Sequence, residues 1–156
     1  MKKYLIILLS ILASGCIVEE SSISNILVEN LTTHSVLITP YKAGAIDSTK
    51  LFSLSPGQNK SIGSDEGMGK TIGPVYFGDY FRNLDSIVVL WDNTYRVTHM
   101  ISDSFVSTGK YISILNERNI AKLSKYKSAK VKETKHFVEW TATYSFTEAD
   151  YEFAKD

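Results

Sequence analysis

Cysteine, histidine and proline are scarce in this sequence, with one, three and three copies among 156 residues. A single cysteine excludes an intramolecular disulfide. A zinc site needs three or four converging ligands, and no pair among His34, His99 and His136 has the i, i+2 or i, i+4 spacing of metal ligands. The sequence therefore predicts no metal site.

Motifs for nucleophilic hydrolysis and for nucleotide binding are also missing. There is no Gly-x-Ser-x-Gly motif. Residues 64–71 end in the Gly-Lys-Thr of a phosphate-binding loop, but Ser64 occupies the position of its first glycine. Asp65 and Glu66 put negative charge where a phosphate would bind, and the Ile-Gly-Pro of residues 72–74 cannot start a long helix. We predict no nucleotide partner, no cofactor and no catalytic residue.

Charge of one sign is not in excess either, because 17 basic residues balance 17 acidic ones. Nucleic-acid binding depends on a basic surface that neutralises phosphates. The even balance predicts no nucleic-acid partner.

The first residues are arranged like an export signal. Lys2 and Lys3 precede an apolar run over residues 4–13, which at ~1.5 Å per residue covers only about half of a ~30 Å hydrocarbon core. A charged start followed by a short apolar run is typical of a secretory signal peptide. No later apolar stretch is long enough to span a membrane.

Small residues precede the cysteine in the run Ala13-Ser14-Gly15-Cys16. This run resembles the lipobox of bacterial lipoproteins. That family usually has a leucine three residues before the cysteine, where this sequence has Ala13, with Leu12 one place further out. The resemblance implies cleavage before Cys16 and lipidation of its thiol. Two or three acyl chains hold a protein stably at a membrane, so a lipid anchor is expected.

Three segments follow from this interpretation: a signal peptide over residues 1–15, a lipidated cysteine and tether over residues 16–22, and one domain over residues 23–156. Cleavage would remove two lysines and leave a formal net charge of −2. Glu19 and Glu20 resemble the export signal that sends lipoproteins of Bacteroidetes-type bacteria to the cell surface. This resemblance implies an outer-membrane location with the domain exposed at the surface.

Short segments rich in β-branched residues predict strands from residue 23 onward. Ile26 and Val28 alternate with polar or outward positions, and we expect this strand to form a hairpin with residues 36–39. Residues 51–54 predict another strand, which ends at a Pro-Gly turn. The glycine-rich residues 61–74 predict a long loop or an irregular edge.

Stronger patterns occupy the second half of the chain. The unbroken apolar run 86–91 predicts a central strand, with a hairpin to residues 95–100. Residues 138–146 alternate with period two and end at Thr147, where a capping-box pattern predicts a short helix. Residues 110–127 could form a helix. The expected fold is mainly β, a small antiparallel β-sandwich or partly open barrel with one or two short peripheral helices.

Two stretches carry a further resemblance. Residues 85–99 together with residues 144–151 resemble small uncharacterised lipoproteins common in Bacteroidetes-type bacteria. This resemblance supports the envelope location and implies no activity.

An aromatic cluster follows the glycine-rich segment and is the best candidate for ligand contact. It contains Tyr76, Phe77, Tyr80 and Phe81, with Arg82 beside them. Exposed rings next to polar groups can stack on sugars or receive a peptide. We predict contacts from Tyr76, Tyr80, Phe81 and Arg82. The alternative is that Tyr76 and Phe77 anchor the loop to the core.

Two triplets resemble the O-glycosylation pattern of Bacteroidetes-type exported proteins. They are Asp47-Ser48-Thr49 and Asp85-Ser86-Ile87. The first lies in a loop-like stretch and the second enters a strand, so Ser48 is the predicted acceptor.

Three functions fit this sequence. The first is a membrane-anchored envelope lipoprotein with a non-enzymatic binding or structural role, whose partner is an envelope protein or a glycan. The second is a small anchored hydrolase acting on envelope or environmental polymers, for which His99 beside Asp92 is the pair to inspect. The third is an inhibitor or immunity-type protein.

Overall fold

The computed structural model of the chain describes residues 20–69, 80–102 and 109–156. Four of its strands form one sheet, sheet I. These strands are β1 (Ser21–Asn30), β5 (Asn59–Met68), β9 (Lys127–Glu133) and β10 (Phe137–Phe146), in the order β5-β1-β10-β9.

Six strands form the second sheet, sheet II. They are β2 (Val36–Lys42), β3 (Ala45–Ile46), β4 (Phe52–Leu54), β6 (Ser86–Trp91), β7 (Tyr95–Met100) and β8 (Tyr111–Ile112). Their order is β3-β2-β6-β7-β8, and β4 also pairs with β2. The helix α1 (Glu148–Lys155) follows β10.

Apolar side chains from both sheets meet in one core, because alternate residues of each strand point inward. Val28 of β1, Ile38 of β2 and Val89 of β6 are completely buried. Trp91 of β6 packs edge-on against Phe146 of β10, with ring centroids 5.3 Å apart. The predicted mainly β sandwich is confirmed, and the described residues contain no closed barrel.

Strand direction is mixed in both sheets. β1 runs parallel to β10 over a ten-residue register from Ser21 opposite Phe137 to Asn30 opposite Phe146. β7 and β8 form the second parallel pair. All other pairs are antiparallel.

The hairpin predicted between the first two strands is wrong. β1 belongs to sheet I and β2 to sheet II, so the chain crosses the sandwich at residues 31–35. Asn30 holds this crossing. Its completely buried side chain donates to the carbonyls of His34 (2.7 Å) and Leu54 (3.2 Å) and accepts from the N–H of Thr32 (3.1 Å). β1 also begins at Ser21, inside the predicted tether, because the Ser21 N–H donates to the His136 carbonyl.

The predicted hairpin between residues 86–91 and 95–100 and the predicted helix start at Thr147 are confirmed. β6 and β7 form a hairpin through Asp92 and Asn93, which have φ of 46° and 55°. Asp and Asn tolerate this left-handed region better than most residues. Asp150, three residues after Thr147, accepts from the Thr147 N–H at 2.9 Å, as the capping box requires.

Residues 110–127 do not form an α-helix. They contain β8, a single 3-10 turn at Leu123–Lys125, and turns between them. The completely buried Asn119 amide donates to the carbonyls of Met100 (2.8 Å), Ile112 (3.2 Å) and Ser113 (3.1 Å). These bonds to three separate backbone groups stabilise a folded loop in place of a helix.

The glycine-rich segment is an irregular edge strand where the structure describes it. Residues 61–68 lie in β5, whose register against β1 shifts between Ile26 and Leu27. At the opposite edge, β9 was not predicted, because its seven residues are all exposed and show no apolar alternation.

Replacing Asn30 with Ala should lower the free energy of unfolding by about 2–4 kcal/mol, because several buried backbone groups lose their partners. Urea unfolding followed by circular dichroism measures this change. Asn59→Ala, at the exposed start of β5, is the matched control. Equal losses in the two variants would contradict the role given to Asn30.

Candidate functional site

A groove lies where the chain passes from sheet II to sheet I, between β4 and β5. β4 pairs with β2 in sheet II, and the turn at residues 55–58 leads directly into β5 of sheet I. Gly57, with φ of 73°, supplies the left-handed position of this turn. The resulting Tyr80 groove has a volume of about 400 Å³ and is lined by Thr49, Lys50, Phe52, Lys60, Ser61, Ile62 and Tyr80.

Tyr80 is held in the groove by a reciprocal pair of hydrogen bonds. Its hydroxyl donates to the Lys50 carbonyl at 2.8 Å, and the Lys50 ammonium donates to the Tyr80 carbonyl at 2.6 Å. Burial raises the pKa of the Tyr80 phenol, and the Asp47 carboxylate adds to the rise. The phenol therefore stays protonated and acts as a fixed donor to Lys50.

The floor of the groove is aromatic. Tyr80 meets Phe52 edge-on with ring centroids 6.2 Å apart, and it meets Phe81 at 5.2 Å. The Lys60 ammonium lies 4.8 Å from the centre of the Phe52 ring. The groove therefore combines ring surface, two ammonium groups and the hydroxyls of Thr49 and Ser61.

The aromatic residues singled out in the sequence have different environments. Tyr80 lines the groove, whereas Phe81 is 7% exposed and belongs to the core. Phe81 therefore offers little surface to a ligand. Arg82 is exposed but does not line the groove. Tyr76 and Phe77 lie outside the described residues.

Sequence reasoning missed Phe52 and Lys60, which complete the groove from two other strands. No local pattern brings them to Tyr80, because the three residues come from separate segments of the chain. Ser48 is exposed in the loop beside the groove. Asp47 orders that loop by accepting from the N–H of Thr49 at 3.2 Å. Glycosylation of Ser48 and lipidation of Cys16, which lies outside the described residues, stay predictions.

His99 and Asp92 do not form the pair considered for hydrolysis. His99 is 3% exposed on β7, and its Nδ1 accepts from the Ile120 N–H at 3.0 Å. Burial lowers the pKa of His99 to about 3, so the ring is neutral and packed. Asp92 instead contacts His34, with 2.6 Å between Asp92 Oδ2 and His34 Nδ1.

His34 links the crossing after β1 to the β6–β7 turn and to α1. Its ring stacks on Tyr151 with centroids 3.4 Å apart, and its Nε2 lies 3.7 Å from a carboxylate oxygen of Glu148. In a catalytic triad the Nε2 atom faces the nucleophile. Here it faces the Glu148 carboxylate. The contacts of His34 therefore connect the crossing after β1, the β6–β7 turn and α1.

Two other features are absent from the described residues: a metal-binding cluster and a membrane-spanning helix. No three His, Cys, Asp or Glu side chains in residues 20–69, 80–102 and 109–156 are grouped to hold a metal ion. The helices in this part of the chain are all too short or too polar to cross a bilayer.

The fold is a small two-sheet β-sandwich with an open groove lined by aromatic, cationic and hydroxyl side chains. Comparison of the chain with models of protein families, with curated proteins and with solved structures gave no match.

Asp92→Asn should lower Tm at neutral pH, and the difference from wild type should shrink as the pH falls below 3.8. The hydrogen bond from the Ser35 N–H, followed by that from His34, holds the pKa of Asp92 below 3.8. A carboxyl whose pKa is lower in the folded state than in the unfolded state stabilises the fold at any pH above its unfolded-state pKa. This stabilisation is lost as the pH falls through the folded-state pKa. Thermal unfolding between pH 2 and pH 7 is the measurement.

Asp65→Asn on β5 is the control for this pH series, since no hydrogen bond to the Asp65 side chain occurs among the described residues. A difference between wild type and Asp92→Asn that persists unchanged to the lowest pH would contradict the assignment.

Proposed function

We propose that this protein is a lipid-anchored envelope lipoprotein that binds a glycan in the Tyr80 groove and catalyses no reaction. The anchor is Cys16, and the location is the outer membrane with the domain facing outward. The observation that carries the glycan assignment is the aromatic floor of the groove, flanked by ammonium and hydroxyl groups.

Sugar rings have apolar C–H faces and polar edges, so they bind where an aromatic face lies beside hydrogen-bond donors. Tyr80, which is partly exposed, supplies the ring surface, and Lys60 and Ser61 supply exposed polar groups at its edge. A volume of about 400 Å³ falls at the lower end of the range for small-molecule sites. It suits one or two sugar rings better than a broad protein interface.

The position of the groove along sheet I suits an anchored receptor. The tether reaches sheet I at Ser21, five residues after Cys16. Lys60 lies opposite Val28, seven residues further along β1. At ~3.3 Å per residue the groove is about 23 Å from the tethered end of the strand. A ligand in the groove would therefore be held away from the bilayer.

The two alternative functions have less support. A small anchored hydrolase would need an accessible base, and His99 is buried and neutral. An inhibitor or immunity-type protein would act through a protein interface, and identification of a bound protein in place of a glycan would favour it.

Cys16→Ala should abolish membrane attachment, because alanine has no thiol to which the lipid can be attached. The measurement is metabolic labelling with a palmitate analogue, followed by membrane fractionation of a Gram-negative host. Ser14→Ala is the matched control and keeps the small-residue pattern. Unlabelled wild-type protein, or equal labelling of wild type and Cys16→Ala, would overturn the anchor. Protease treatment of intact cells tests surface exposure in the same samples.

Tyr80→Ala should weaken glycan binding at least about tenfold, because loss of ring contact at about 1.4 kcal/mol corresponds to a factor of ten. The experiment screens the purified full chain against a glycan array and measures each hit by calorimetry. Tyr80→Phe keeps the ring and should stay within a few-fold of wild type.

Tyr111→Ala is the control for this series, because Tyr111 is an exposed tyrosine (58%) on β8, remote from the groove. Thermal unfolding checks that each variant is folded. The proposal fails if no glycan binds, or if Tyr111→Ala reduces affinity as much as Tyr80→Ala.

A further inference from the structure

Basic residues are concentrated in one segment of a chain that is close to neutral overall. Residues 118–135 contain seven of the 17 lysines and arginines and a single acid, Glu133. We propose that this segment forms a second binding site, for an acidic polysaccharide chain. The site is separate from the Tyr80 groove, because β9 and β5 lie at opposite edges of sheet I.

The basic edge consists of Lys125, Lys127, Lys130, Lys132 and Lys135. β9 supplies the middle three lysines, and all seven residues of this strand are exposed. Seven residues at ~3.3 Å each extend for about 20 Å. Lys127 and Lys132 share one face of this edge, opposite Thr143 and Glu139, and Lys130 lies on the other face opposite Trp140. The cations are therefore spread along the edge of the sandwich, which suits an extended polymer.

Only one of these five lysines forms an ion pair with a carboxylate of the residues that the structure describes. Lys130 contacts Glu133 at 2.6 Å. Among the described residues, no carboxylate lies within 4.0 Å of the ammonium groups of Lys125, Lys127, Lys132 or Lys135. Glu139 is opposite Lys132 in register, but one of its oxygens accepts from Asn25 at 3.0 Å.

A concave pocket continues the basic edge at the end of β9 remote from the tether. Its volume is about 320 Å³, and its lining includes Arg118, Lys125 and Lys127 together with Ser145 and Thr147. This pocket could receive a carboxylate or sulfate beside the ammonium groups of Lys125 and Lys127. Hydrogen bonds between a charged donor and an anion are stronger than those between neutral groups.

The acid inside this pocket is already engaged. Asp150 accepts from the Thr147 hydroxyl at 2.8 Å and lies 3.7 Å from the Arg118 guanidinium. Arg118 also donates to the Ala149 carbonyl at 3.0 Å. Asp150 and Arg118 offset one another, so Lys125 and Lys127 leave the pocket cationic.

Lysines on an edge strand have a general role, since they discourage pairing with the edge of another sheet. That role does not require the cations that flank β9 on both sides or the pocket at its end. The direction of the basic edge also favours a polymer over a bilayer. β9 runs along β10 and β1, so in a protein anchored at Cys16, as proposed above, only the Lys135 end approaches the membrane.

The test compares two triple variants of the purified full chain. Lys127→Gln, Lys132→Gln and Lys135→Gln remove three charges from the basic edge. Lys42→Gln, Arg96→Gln and Lys155→Gln remove three charges elsewhere and serve as the matched control. Binding to polygalacturonate, to dextran sulfate, to neutral dextran and to phosphatidylglycerol vesicles is measured at several salt concentrations.

Wild type should bind the two acidic polymers but not neutral dextran. Affinity should fall on the order of tenfold to hundredfold between about 50 mM and 200 mM salt, because several ion contacts are released. The basic-edge variant should lose about tenfold or more at low salt and the control less than about threefold.

Three results would overturn the proposal: no binding of either acidic polymer at low salt, equal losses in the two triple variants, or binding to the vesicles alone. If the basic-edge variant still binds the glycans that the array identifies, the basic edge and the Tyr80 groove are separate sites. Because the experiment needs no lipid anchor, failure of the anchor would leave its result unaffected.

Discussion

The parallel pairing of β1 with β10 joins the two ends of the domain, and the other features of sheet I depend on it. Its ten-residue register brings together residues more than 100 positions apart, such as Glu29 and Ser145, whose side chains are hydrogen-bonded. Closing so long a loop costs chain entropy that local contacts cannot offset. The buried faces of both strands, including Val28 and Phe146, supply the compensating apolar contacts.

This central pair also sets where the two proposed binding surfaces lie. β5 adds to β1 on one side and brings Lys60 to the Tyr80 groove, while β9 adds to β10 on the other side and carries the basic edge. The start of β1, which the proposed anchor would hold near the membrane, lies at one end of both edges. The Tyr80 groove and the basic edge thus lie at opposite edges of sheet I.

Local patterns predicted local structure well. The β6–β7 hairpin, the alternation along β10 and the capping box at Thr147 are each encoded within a few consecutive residues, and all three are confirmed. Sequence patterns gave wrong predictions where long-range contacts determine the structure. The first two strands separate into different sheets because Asn30 is buried at the crossing, and Asn119 holds residues 110–127 in turns. β9 has no buried face, so its pairing with β10 left no apolar signal.

The sequence by itself determined the strands with a clear apolar pattern, such as β6 and β10, the turn between β6 and β7, and where the helix begins. These features depend on side-chain period and backbone preference over short spans. The lipid-anchor prediction likewise rests on residues 1–16 alone. Tertiary structure decided which strands are neighbours and which side chains share a site. Asp92 meets His34 instead of His99, and Phe52 and Lys60 meet at the Tyr80 groove. A period identifies the face on which a side chain lies, whereas its partners depend on strand order, which distant parts of the chain establish together.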